Sequence, residues 1–196
     1  YTPILIKMQV FCEFLFNCLN GYLKYQGKSS AYQKSHPLSS YNLKKDKVIT
    51  SVFNSEEHFS GRLLGGCLDI LSLICGTQYD KVKEFNARYK DDGVIWFLEA
   101  CDLNPQSIRR VLLQLKYAGW FDTAKGFLIG RSASAFNMEE FGLNRINAID
   151  VLKDLNVPIL IDVDLGHIPP TMPLICGAVG VVDYKNNDLK IEMLVK

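Results

Sequence analysis

The sequence predicts an α/β fold with parallel strand pairing, finished by an antiparallel hairpin. Three observations carry this expectation. Short, fully apolar runs recur at 94–98, 126–130 and 157–161, each bounded by polar or glycine signals. Between them lie stretches with apolar residues three and four apart, the spacing of a helix with one buried face. The tail carries two further runs, 178–184 and 189–194, around Lys185-Asn186-Asn187-Asp188, which reads as a hairpin.

Composition bounds the rest. A chain of 196 residues with 48% hydrophobic and 22% charged residues is ordinary globular material, long enough to bury a core. The 22 Lys and Arg against 21 Asp and Glu leave a net charge of +1, which argues against nucleic acid or an anionic membrane as partner. Six cysteines (Cys12, Cys18, Cys67, Cys75, Cys101 and Cys176) form no CxxC pair and read as reduced thiols of a cytoplasmic protein. No segment reaches the roughly 18–20 uninterrupted apolar residues of a membrane span. The nearest, 3–19, is interrupted by Lys7, Gln9, Glu13 and Asn17. It has neither a cationic leader nor a small-residue cleavage site, so a signal peptide is not expected. The chain starts at Tyr1, which suggests a fragment with an upstream part.

In order, Thr2-Pro3 starts a predicted helix that runs to Leu19 and closes at Asn20-Gly21. From Tyr22 to Lys47 lysines dominate and Asp46 is the one acid, the pattern of a solvated linker. Gly65-Gly66 opens a run from Cys67 to Ile74 whose length suits a short buried helix. Val82, Phe85 and Tyr89 mark a second helix, and Asp91-Asp92-Gly93 a turn before the strand 94–98. Asn104-Pro105 starts a helix with Ile108, Val111, Leu112 and Leu115 inside and Gly119 at its end. Ile146, Ile149 and Leu152 mark the last helix before the strand 157–161.

Chemistry is expected at the carboxyl ends of the buried strands, where loops diverge. Two strands end in conspicuous polar groups. One is followed by Glu99; the other by Asp162-Val163-Asp164-Leu165-Gly166-His167. A carboxylate after five apolar residues needs a partner. His167 stands on a fixed turn before Ile168-Pro169-Pro170, and a histidine held by a carboxylate is the base of a triad. Most such residues serve only structure. Asp162 and Asp164, on one strand face, with His167 form an alternative divalent-metal set, although no further ligand follows at a recognised spacing. Cys67 and Cys101 are conceivable nucleophiles with no sign of a lowered pKa. The glycines of 61–66 lack the GxxxxGK[ST] phosphate-loop spacing and suit close packing or a tight turn. His36 and His58 lie in polar stretches and are expected in solvent.

The segments GRLLGGCLDILSLICGTQYD (61–80), GVIWFLEACD (93–102), IRRVLLQLKYAGWF (108–121), GFLIGR (126–131) and VPILIDVDLGHIPPTMPLICGA (157–178) resemble, in this order, the serine LD-carboxypeptidase family, which includes the microcin C resistance proteins. The resemblance covers most of 61–196. It implies a mixed α/β C-terminal domain over 61–196, a linker over 22–60, and in 1–21 a remnant helix of a Rossmann-like N-terminal nucleophile domain. It implies a cytoplasmic bacterial hydrolase of wall recycling that removes the terminal D-alanine of murein tetrapeptide, or cuts a peptidyl-nucleotide, and is homodimeric when full length. No cofactor and no metal are called for. Glu99 matches the acid and His167 the base of a Ser-His-Glu triad. The family's serine sits in a G-x-S-[DN] elbow of the N-terminal domain, which these residues lack. Ser60-Gly61 and Ser132-Ala133-Ser134 do not have that context. The isolated chain is therefore expected to be inactive, the alternative being a non-catalytic remnant or binding module.

Overall fold

A computed structural model describes residues 43–132 and 142–195, together with 19–20, 24–25, 38, 40 and 41. Residues 3–18 of the helix expected over 3–19 lie outside the described residues, as does His36, while the helix's expected end, Leu19, stands in a two-residue strand with Asn20. The elements are β1 (Leu19–Asn20), β2 (Lys24–Tyr25), β3 (Lys45–Asp46), β4 (Thr50–Ser51), β5 (Glu56–Cys67), α1 (Leu68–Ile74), α2 (Val82–Arg88), β6 (Val94–Glu99), α3 (Pro105–Tyr117), β7 (Ala124–Gly130), α4 (Arg145–Ala148), a 3-10 helix (Ile149–Leu155), β8 (Ile159–Val163), β9 (Val179–Lys185) and β10 (Asp188–Leu194).

Eight strands form one mixed sheet in the order β1-β10-β9-β5-β6-β7-β8-β4; β2 and β3 pair separately. Strands β5, β6, β7 and β8 run parallel, joined by helices. The β9–β10 hairpin adds to the other edge of β5 in antiparallel register. The predicted architecture of parallel pairing plus a terminal hairpin is the one observed.

Period-2 alternation divides the core between the two faces of this sheet. Trp96, Leu98, Phe127, Ile129, Ile159 and Ile161 pack on one side with Leu112, Leu115 and Leu152 of the helical layer. Ile95, Leu128 and Leu160 pack on the other with Val182, Leu189 and Ile191. The start of α3 follows the sequence: Asn104 Oδ1 accepts from the Ser107 amide at 2.9 Å, Pro105 stands first, and Ile108, Val111, Leu112 and Leu115 are buried. The last predicted helix winds mostly as a 3-10 helix. Spacings of three between Ile146, Ile149 and Leu152 fit that tighter period as well as an α-helix.

Three expectations change. Residues 61–66, whose glycines suit close packing or a tight turn, belong to the twelve-residue strand β5, so the first of these holds and the turn does not. Close packing is the reason for Gly65, where a Cβ would stand 1.8 Å from the Phe97 carbonyl oxygen of the neighbouring strand. The segment read as linker up to 60 contributes β4, the start of β5, and the buried Lys47 and Ile49. Its lysines, with Ser, Gln and Tyr between them, made its composition look solvated. Finally, β8 begins at Ile159, after Pro158, which has no N–H to donate to a ladder.

Candidate active site

Strand β6 carries Glu99 at its carboxyl end, 7% exposed. Its Oε2 lies 3.0 Å from Nδ1 of His167, whose side chain is half-exposed. The approach depends on Gly166, at φ 90°, where a Cβ would lie 2.6 Å from Glu99 Oε2. An ionised carboxylate accepts only, so Nδ1 carries the proton and Nε2 is the nitrogen able to take one from a nucleophile. The sequence-predicted acid and base are thus brought together, from positions 68 apart in the chain.

Asp162 and Asp164 behave differently from the expectation of one shared strand face. Asp162 is an extra residue in β8: Ile129 faces Ile161, yet Gly130 faces Val163. Its φ of 67° turns the chain over, and Val163 joins the core on the face opposite Ile161. Asp162 then forms a two-pronged ion pair with Arg145. Asp164, fully buried, takes Arg131 Nη1 at 2.7 Å and Lys47 Nζ at 3.5 Å. The two aspartates and His167 each point to a different partner, so the metal reading of this trio does not hold. Among the described residues, no group of three His, Cys, Asp or Glu side chains is placed to hold a metal.

The two thiols near the site are poor nucleophiles. Burial, then hydrogen bonds to Glu99 and Asp69, push Cys67 up to about 12. Burial and the carboxylates of Asp102, Glu99 and Asp69 raise Cys101 as well. The Cys67 thiol donates to Asp69 Oδ2 at 3.2 Å. Asp69 itself clamps the chain just after Glu99, accepting from the Cys101 and Asp102 amides at 3.0 Å each. Burial opposes its ionisation, but these N–H donors outweigh it and hold its carboxyl below the usual range. His58, expected in solvent, is exposed but lies 2.5 Å from Asp183.

A small, mostly apolar cleft at the carboxyl ends of β6 and β7 is lined by Leu68, Ile108, Leu112 and Ile129 with Glu99, Ser132 and Arg145; His167 is not part of its lining. Ser134 lies outside the described residues. Sequence reasoning passed over Arg131, Lys47, Arg145 and Asp69. Arg131 bore a usable signal, a charged residue directly after an apolar strand, as at Glu99. Lys47, one lysine of a lysine-rich stretch, bore none.

Residues 60–182 match the family model described as the LD-carboxypeptidase C-terminal domain. A Vibrio cholerae protein assigned by name to the carboxypeptidases is 26% identical over 176 residues, 84% of this chain and 50% of that protein. Muramoyltetrapeptide carboxypeptidase from Oxalobacter formigenes superposes with a TM-score of 0.59 at 22% identity, over 87% of this chain and 57% of that one. An MccF-like protein from Streptococcus pneumoniae, solved in complex with AMP, reaches 0.69 at 20% identity, over 96% of this chain and 57% of that one. Identities this low establish the shared fold. The chain spans about half the length of these relatives.

Proposed function

We propose, from the premise that this chain belongs to the LD-carboxypeptidase family through its C-terminal domain, that it supplies the acid and base of a serine-type LD-carboxypeptidase. The observation that carries the proposal is the 3.0 Å contact between His167 Nδ1 and the buried Glu99 carboxylate. His167 takes the proton of a serine through Nε2 and returns it to the leaving D-amino acid. Glu99 holds the tautomer and balances the imidazolium. The serine and the oxyanion-hole amides belong to a G-x-S-[DN] elbow in the other half of such enzymes, and no such elbow occurs in these 196 residues.

The substrate class is a murein tetrapeptide losing its terminal D-alanine, or a related amide-linked peptide. The AMP held by the Streptococcus pneumoniae relative supports a peptidyl-nucleotide as the variant substrate. The setting is bacterial wall recycling in the cytoplasm, the full-length form a homodimer.

The test is D-alanine release from murein tetrapeptide. The 196-residue chain alone releases none at a useful rate, because a triad without its nucleophile loses several orders of magnitude. Joined to an upstream half that contains the elbow, it hydrolyses the peptide, and His167→Ala abolishes turnover with little loss of folding. Robust release by the isolated chain, or near-normal turnover by His167→Ala, overturns the assignment. The second reading is a non-catalytic binding module of this fold. An upstream coding sequence without G-x-S-[DN] selects it.

A further inference from the structure

The acid of the candidate pair is carried by a strand, whereas the base stands on a loop. Glu99 ends β6, anchored by its ladders to β5 and β7. His167 follows β8 by four residues, beyond the bulge at Asp162, and half of its side chain is in solvent. Something must hold this loop against β6, since a displacement of about 1 Å at a catalytic group costs on the order of 10²-fold in rate.

Thr171 closes the loop locally, its hydroxyl donating to the Gly166 carbonyl at 2.8 Å, and the side chain that ties the loop to the sheet is Arg131, 3% exposed, the first residue after β7. Before His167, its Nη1 donates to Asp164 Oδ1 at 2.7 Å and to the Asp162 carbonyl at 3.2 Å. After His167, its Nη2 donates to the Pro170 carbonyl at 3.0 Å and the Ile168 carbonyl at 3.4 Å. Strand β7 is the neighbour of β6, with Ile129 opposite Leu98. The same two strands therefore support both members of the pair.

We propose that Arg131 is the positioning residue that sets the His167 imidazole against Glu99, by holding the loop on both sides of the histidine through the two arms of its guanidinium. The proposal rests on the reading of His167 as the base. Asp164 orients the guanidinium, and Lys47 shares that carboxylate without touching the loop carbonyls named above. A lysine at 131 keeps the charge and can reach Asp164. As a single ammonium it cannot span acceptors on both sides of the loop.

The test uses the 196-residue chain and the ring ¹⁵N shifts of His167, read at a pH where the imidazole is neutral. The wild-type chain shows one tautomer, Nδ1–H, as the Glu99 contact requires. In Arg131→Lys the single-tautomer signature is lost and both nitrogens move toward the averaged shifts of a free imidazole. Leu189→Ala, a core truncation on β10, lowers the melting temperature but retains the signature, which separates positioning from general stability. If Arg131→Lys does not fold, Asp164→Asn is read instead. It leaves an acceptor for Nη1 but weakens the grip, and partial loss of the signature is expected. An unchanged tautomer in whichever variant folds overturns the proposal. A wild-type chain without the single tautomer overturns the Glu99–His167 reading itself, and D-alanine release tests that reading separately.

Discussion

At the end of β6 a buried carboxylate, Glu99, faces an imidazole. At the end of β8 a buried carboxylate, Asp164, faces a guanidinium and an ammonium. Both follow apolar strands, and a carboxylate this buried needs a partner. Their partners separate them. Arg131 and Lys47 both meet Asp164 as ion-pair partners in the interior, so it serves as an anchor. The imidazole reaches solvent and can carry a proton on either ring nitrogen, so Glu99 orients a group able to pass one on. A strand-end carboxylate thus announces a buried charge; the group opposite decides whether it serves structure or chemistry.

The sharpest way to break this comparison is to remove each carboxylate in turn. Asp164→Ala leaves Arg131 and Lys47 buried without their counter-charge and is expected to cost about 3–5 kcal/mol. Glu99→Ala leaves behind a half-solvated imidazole and a thiol that keeps Asp69 as partner, and costs about 1–2 kcal/mol. Urea denaturation of the two variants measures the gap; equal losses would erase the distinction. Gly166→Ala comes next, at about 1–3 kcal/mol, because it places a Cβ against Glu99 Oε2 at a φ of 90°. It forces the imidazole and carboxylate apart, so it removes the single His167 tautomer as well as lowering the melting temperature. A variant that keeps both would show that the close approach is dispensable.

The smallest expected effect concerns pH. The folded-state pKa of Asp69 lies below its unfolded value, so its contribution is present above the ordinary carboxylate pKa of about 4. It is lost as pH falls through the folded value. The difference in melting temperature between wild type and Asp69→Asn is therefore constant from neutral pH down to about 4, and shrinks on further acidification. A difference that grows below that pH would reverse the sign.

Which parts were legible in the sequence follows from which forces are local. Runs such as Val94 to Leu98 declare buried strands, because only a sheet covered on both faces accepts five apolar residues in a row. The pairing of Glu99 with His167 was expected from strand ends and family resemblance together. The bulge at Asp162 left no mark, since nothing in Ile-Asp-Val-Asp signals a positive φ at a non-glycine residue. Breaking period 2 there undid the expectation that Asp162 and Asp164 share a face. Lys47 was hidden by its neighbours: burial of one lysine among many is decided by a carboxylate 117 positions away. The glycines of β5 left close packing and a tight turn both open, because what decides between them is the backbone of a different strand.

Strand β5 bonds on one side in parallel to β6 and on the other in antiparallel to β9, which lies far along the chain; His58 and its partner Asp183 are 125 positions apart. On the ribosome, β5 and β6 emerge long before β9. For that interval the first half of β5 is an open edge, able to recruit any other extended peptide. Its outward residues, Glu56, His58 and Ser60, alternate with the inward Glu57, Phe59 and Gly61. Those charges oppose stacking of one nascent chain on another until the terminal hairpin arrives to close the edge. The β9–β10 hairpin thus acts as the cap of the nascent sheet, and a ribosome stalled before β9 would leave that edge of β5 uncovered.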